Sequence, residues 1–215
     1  RDRDVTGVQT CALPIFDGGD LSSDAGLLLI KEFAAKIGFT KLIEKKFKTN
    51  DKSVRFHKDY ENLLQMIYQV ISAYFQDDCA DELTLDPVFN VILDKENLAS
   101  QPTLSRFFNR MDEDTLIQFD DIDKNLRDTI YSIKRPEHVL LDLDSTLFGT
   151  YGRQEGEGFN FHYQAHGYHP LLCYDGLTGD LIKAELRDGT LHCSNGADKF
   201  MESIFQEYLE RSIKT

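Results

Sequence analysis

Tryptophan is absent, proline is limited to five residues, and no two of the four cysteines form a C-x-x-C pair. The scattered Cys11, Cys79, Cys173 and Cys193 give no support to a zinc finger or a disulfide framework. They suit free thiols in a reducing compartment, which predicts a cytoplasmic protein. No apolar run approaches the roughly 18 residues of a membrane-spanning helix. The longest apolar stretches, such as Ala25–Ile30, have the size of a buried strand or a helix face. Basic charge is also short: the 215 residues carry a formal net charge of −13. That balance runs against a surface basic throughout, the usual footprint of a nucleic-acid binder.

The charge is uneven, however. Lys41, Lys45, Lys46, Lys48, Lys52, Arg55 and Lys58 face only Glu44 and Asp51 over the same stretch. This segment is either a solvated helix face and loop or a local nucleic-acid contact. The first fifteen residues have neither helical nor strand periodicity and no signal-peptide order. Val5–Ile15 resembles the in-frame translation of a sequencing adapter, so residues 1–15 are set aside as an artefact.

Residues 16–135 carry helical spacing. Ser22 or Ser23 can cap a helix bearing Leu27, Leu28, Ile30, Phe33, Ala34 and Ile37, closed by Gly38. Thr40 can cap a short basic helix to about Lys48. Asp59–Gln76 repeats apolar residues at three-four spacing. Asp86 precedes Pro87 as a cap precedes a first-turn proline. Ser100 opens another helix, with Leu104, Phe107, Phe108 and Met111 expected inward. Its Ser100, Gln101, Thr103 and Arg106 are candidate DNA-binding residues, since such side chains donate to phosphates and base edges; an ordinary bundle helix fits the same residues. Asp114–Ile130 is a further helix, expected to turn Leu116, Phe119, Ile122, Leu126 and Ile130 to one face. Lys134–Glu137 reads as the boundary between a helical domain, 16–135, and a second domain, 138–215.

Beyond the boundary the period changes. His138–Thr146 is a short apolar run ending in acids, which predicts a buried strand. Gly149–Gly158 reads as a glycine-rich connection. Pro170–Tyr174 and Leu181–Leu186 flank the turn Asp175–Asp180, a connection short enough to force an antiparallel hairpin. A helix capped by Ser194 or Asn195 carries Phe200, Ile204 and Tyr208. The predicted class is α+β, with strands near 138–145, 169–175 and 180–187.

Asp142 and Asp144 stand two apart on the first of these strands, so both side chains leave one face. Paired carboxylates repel unless a cation sits between them, and Mg²⁺ or Mn²⁺ favours such oxygen donors. Asp144 is the candidate catalytic and metal residue, with Asp142 a second metal ligand. His162, His166 and His169 are spaced too loosely for a metal site and suit structural or DNA-contacting roles. Arg153 and Lys183 suit either phosphate contact or solvated surface.

Two enzyme classes share this strand. Asp142-x-Asp144-x-Thr146 resembles the first motif of haloacid-dehalogenase-type phosphatases, where Asp142 would be the nucleophile; that fold continues with parallel strands. A third reading is a non-enzymatic helical DNA-binding module. Four segments together point elsewhere: Leu141–Thr146, Tyr151–Gly156 with Gln154 and Glu155, His166–Leu171, and Asp175–Gly179. In that order and spacing they resemble DDE transposases of bacterial insertion sequences, the family numbered thirteen-eighty. Gly18-Gly19, Gly26–Leu29 and Ala99–Arg106 share the resemblance, which covers about 16–215.

The resemblance implies a ribonuclease-H-like catalytic domain and a two-metal site of Asp, Asp and Glu binding Mg²⁺ or Mn²⁺. It implies DNA as partner, through the element's terminal inverted repeats and target DNA, and a homodimer. Asp144 corresponds to the first Asp. The second Asp and the Glu are expected beyond Thr215, which makes the chain an N-terminal fragment expected to be inactive.

Overall fold

The computed structural model describes residues 22–76 and 78–215. The adapter-like segment, Cys11 and the Gly18-Gly19 pair lie outside the described residues. The chain forms two compact units that divide between Gln118 and Phe119. The division falls inside a long helix and not at the 134–137 linker that the sequence points to.

The first unit is helical: α1 (Leu27–Lys36), α2 (Phe39–Lys46), α3 (Asp59–Ile71), α4 (Cys79–Leu83), α5 (Pro87–Leu93), α6 (Gln101–Phe108) and the start of α7 (Glu113–Ile133). Several ends differ from expectation. Neither Ser22 nor Ser23 caps α1, whose N-cap is Gly26. Gly38, with φ of 75°, both closes α1 and opens α2, so Thr40 lies inside a helix. A left-handed turn at glycine joins two helices without a Cβ penalty. Asp86 does cap α5, accepting from the Val88 and Phe89 amides ahead of Pro87. α3 stops at Ile71, short of Gln76, as Ala73 takes a positive φ.

Leu27, Tyr68, Leu83, Phe89, Ile92 and Leu98 make one apolar cluster. Ala80, Ala99 and Leu104 make another. Phe107 is fully buried and meets Phe47 edge-on at 5.9 Å, whereas Phe108, expected inward, is exposed. Gln65 is buried and bonds both the amide and the carbonyl of Ala99, at 2.8 Å each, which satisfies a polar group where water is excluded. Asp59 is a polar hub. It accepts from the Thr49 amide and hydroxyl and pairs with Arg55 and Arg110. Burial raises its pKa, but these bonds outweigh that, and the net effect holds the carboxyl below its usual range.

The second unit takes the rest of α7 and all the strands. β1 (Leu141–Ser145), β5 (Leu171–Asp175) and β6 (Leu181–Glu185) form one sheet in the order β1-β5-β6, antiparallel throughout. β2 (Phe148–Gly149), β4 (Ala165–Tyr168) and β3 (Gly158–Asn160) form a second small sheet, where the sequence reads a connection. α8 (Ala197–Glu210) packs Phe200, Ile204 and Tyr208 on Val139, Leu171, Cys173 and Ile182. Its N-cap is Gly196, neither Ser194 nor Asn195.

α7 joins this core from residue 119 onward. Arg127 is buried and pairs with Asp123 and Glu207 while donating to the Ile182 carbonyl. The Tyr131 and Tyr208 hydroxyls meet at 3.2 Å. These bonds tie the end of α7 to the sheet unit and move the division upstream of the linker. Leu116 and Ile130, read as inward residues, are exposed, while Ile122 is buried.

β1 is not the buried strand expected: Asp142, Leu143 and Asp144 are all exposed. The edge of β1 facing away from β5 is marked at its start. Leu140 directs its amide and carbonyl to Asp175 and Gly176, so the Val139 amide points the opposite way and reaches the Lys214 carbonyl at 2.8 Å. His138 and Lys214 form an isolated parallel bridge there.

Candidate active site around Asp144

The register β1-β5 sets Asp142 opposite Tyr174 and Asp144 opposite Leu172. The two-residue spacing therefore puts both acids on one sheet face. The charge of Asp142 contributes, after burial, to raising the Cys173 thiol to about 11. Asp144 accepts from the Ser145 amide at 2.7 Å.

Next to Asp144 is a cavity of about 400 Å³. The tip of the β3-β4 hairpin, Asn160–Tyr163, makes one wall; His169 and Thr190–Cys193 make the other. Asn160 is the pivot. It is buried, accepts from the His162 and Tyr163 amides, and donates to the Gly189 carbonyl at 2.9 Å. Tyr163 donates to the Ser145 carbonyl at 3.1 Å. Close backbone approach makes the rest of the wall. A Cβ at Gly189 would collide with the Gly167 carbonyl and with Gly158, so these glycines let the 188–191 loop lie against β3 and β4.

Arg187, just past β6, is 6% exposed and clamps both sides. Its Nε donates to the His169 carbonyl at 3.0 Å and its Nη1 to the Asn195 carbonyl at 2.6 Å, with a weaker contact to the Cys193 carbonyl. Its Nη2 is buried without a partner. Sequence reasoning missed Arg187, Asn160, Phe161 and Tyr163. The dense aromatic run Phe159, Phe161 and Tyr163 was the visible signal.

Of the three histidines singled out, His162 and His169 line this cavity with Asp144, and His169 is buried with Nδ1 on the Leu191 carbonyl at 2.8 Å. His166 lies apart, against Glu157 at 3.0 Å. Among the described residues, no group of three or more His, Cys, Asp or Glu side chains is placed to hold a metal ion. Asp142 and Asp144 offer oxygen donors of the right kind for Mg²⁺ or Mn²⁺, but one strand alone does not enclose a cation. Lys183 is engaged by Ser203 and by the Phe200 ring. Arg153 is exposed on the loop before β3.

The candidate DNA-reading residues belong to the helical unit. Arg106 is exposed and touches Thr103, and Ser100 and Thr103 share a hydroxyl contact of 3.1 Å. The Gln101 amide donates to Asp81. Among the described residues, no helix is long and apolar enough to cross a membrane.

A family described as transposase DDE domain, group 1, matches residues 12–215. That match takes in Ala12–Ile15 of the adapter-like segment as well as all of the described chain. No curated protein and no solved structure matches the chain.

Proposed function

The chain belongs to the group 1 DDE transposase domain family, and from that membership we propose that it works as a metal-dependent enzyme that cuts and joins DNA. The observation that carries the reading is Asp144: an exposed carboxylate at the end of β1, beside an antiparallel hairpin and lining a cavity. Asp144 is the first catalytic carboxylate, and Asp142 assists it. The fold is ribonuclease-H-like, and the element is an insertion sequence of the family numbered thirteen-eighty. The partners are the terminal inverted repeats and target DNA, bound by a cytoplasmic homodimer, with Ser100, Gln101, Thr103 and Arg106 among the DNA contacts.

The metal pair, when bound, would activate the attacking oxygen and stabilise the leaving one. Asp144 would supply negatively charged oxygen to that pair, and the cavity walls would orient the strand. The antiparallel pairing of β1, β5 and β6 weighs against the phosphatase reading, which calls for parallel strands after the first.

Two acids from a single strand leave a metal pair unpositioned, and phosphoryl transfer depends on positioning. With only these carboxylates placed together among the described residues, residues 1–215 on their own are expected to be inactive. The test is incubation of purified residues 1–215 with Mn²⁺ and DNA carrying the element's ends. No strand cleavage is expected. Specific nicking that vanishes in Asp144→Ala would overturn the claim of inactivity while supporting the catalytic role.

A further inference from the structure

The helical unit carries seven basic residues against two acids between positions 41 and 58, in a chain whose net charge is −13. Lys41 and Lys45 stand one turn apart on α2, and Lys48 and Lys52 follow it. All four are exposed, and none enters an ion pair among the described residues. Lys58 is exposed at the start of α3, with its ammonium 5.6 Å from the Tyr60 ring centre. Cations left without counter-charges make a local positive field, which favours a polyanion.

Between α2 and α3, residues 47–58 form a strap without helix or strand, yet it is fastened along its length. Thr49 donates to Asp59, Asn50 donates to Asp112 and Asp114, and Arg55 joins Asp51 to Asp59. Phe47 packs on Phe107, and Asp59 also holds Arg110, so the strap lies against the end of α6 that carries Arg106. From this fixed strap Val54 is fully exposed and Phe56 is 77% exposed, with Lys52 and Lys58 to either side in the chain. Two apolar side chains held out between cations match a double helix. Its phosphates run along both edges of a minor groove about 6 Å wide, which admits side chains from a loop but no helix.

Resting on the transposase reading, we propose that residues 41–58 grip duplex DNA whatever its sequence. Lys41, Lys45, Lys48, Lys52 and Lys58 contact phosphates, and Val54 and Phe56 enter the minor groove. Phosphate contacts carry no base information, so the strap supplies affinity and orientation and leaves sequence reading to other side chains.

The test follows fluorescence anisotropy of a short labelled duplex of arbitrary sequence with the 215-residue chain, at about 50 to 200 mM salt. The logarithm of the affinity should fall linearly with that of the salt concentration. Lys45→Gln, Lys48→Gln and Lys52→Gln combined should weaken binding about tenfold or more and reduce that slope by about three, one for each lost phosphate contact. Phe56→Ala should weaken binding about fivefold at an unchanged slope, as expected of a contact without charge. Lys134→Gln with Lys199→Gln, at exposed lysines of the second unit, should change neither quantity. Circular dichroism checks the fold of each variant. No duplex binding by the wild type, a wild-type slope in the triple variant, an equal loss in the control pair, or equally tight binding of the single strand would each overturn the proposal. Unchanged binding by Phe56→Ala would overturn the groove contact. These outcomes are separate from the catalytic reading, whose test is Asp144-dependent cleavage: a triple variant that binds as the wild type does leaves that reading standing.

Discussion

Tyr163 and Ser145 are bound hydroxyl to carbonyl at 3.1 Å, which fastens the tip of the β3-β4 hairpin to the residue that follows Asp144. A strand end carrying an exposed acid is thereby coupled to the aromatic turn eighteen residues along the chain. Removing the hydroxyl should loosen that coupling. Tyr163→Phe is expected to cost about 1 kcal/mol, the ordinary net value of a hydrogen bond. Chemical denaturation checks the cost, and amide hydrogen exchange at Ser145–Leu147 should speed up. An unchanged midpoint with unchanged exchange would mean that the bond holds nothing in place.

Glycine makes the cavity wall, and one added methyl should undo it. In Gly189→Ala the new Cβ would run into the Gly167 carbonyl and Gly158. Backbone cannot step aside as a flexible side chain can, so the cost should reach about 3 kcal/mol, the upper end for overpacking. Gly179→Ala is a useful contrast: its Cβ meets nothing, though its φ of 80° leaves a backbone cost. Thermal unfolding of the two variants compares a steric clash with strain alone. Gly189→Ala should be the less stable; the reverse order would contradict the close packing described.

Asp59 anchors the helical unit through Thr49, Arg55 and Arg110. Asp59→Ala would leave Arg110, itself largely buried, without its acid, and breaking such a pair costs about 3 kcal/mol. The pH dependence follows from the lowered pKa. The folded state holds the carboxyl below its ordinary 3.8, so its stabilising contribution is present above that value. The contribution is lost as pH falls through the folded pKa. Urea midpoints measured down from neutral pH should drop for the wild type below about pH 4, and less so for Asp59→Ala. Parallel acid profiles for the two would contradict the assignment.

The helices of the first unit and the β5-β6 hairpin were legible because apolar spacing and short turns are local signals. Leu104 and Phe107 inside α6, and Phe200, Ile204 and Tyr208 inside α8, follow directly from three-four spacing. Helix starts were harder. Gly26, Gly38 and Gly196 take the cap positions that nearby serine, asparagine or threonine also suit, and a choice among neighbours depends on tertiary packing. The small β2-β4-β3 sheet escaped because its strands are two to four residues long and built around glycine. Glycine carries no side-chain period. Here it marks where Gly158, Gly167 and Gly189 bring backbones together. The acids of β1 were visible as a pair on one face. The cavity beside them was not, because the bonds that build its surroundings, Asn160 to the Gly189 carbonyl, Tyr163 to the Ser145 carbonyl and Arg187 to the His169 carbonyl, join segments far apart in the chain.

The central claim is that Asp144 is a catalytic carboxylate of a DNA-cutting enzyme. Its most direct test is excision in cells, using the complete gene with its flanking DNA as donor and sequencing across the donor junction. Losing one carboxylate of a metal pair removes several kcal/mol of charge stabilisation, about a thousandfold in rate. Asp144→Asn should therefore bring excision to background at unchanged protein level, while Asp198→Asn, an exposed acid on α8, should leave it intact. Excision at the wild-type rate in Asp144→Asn would contradict the account.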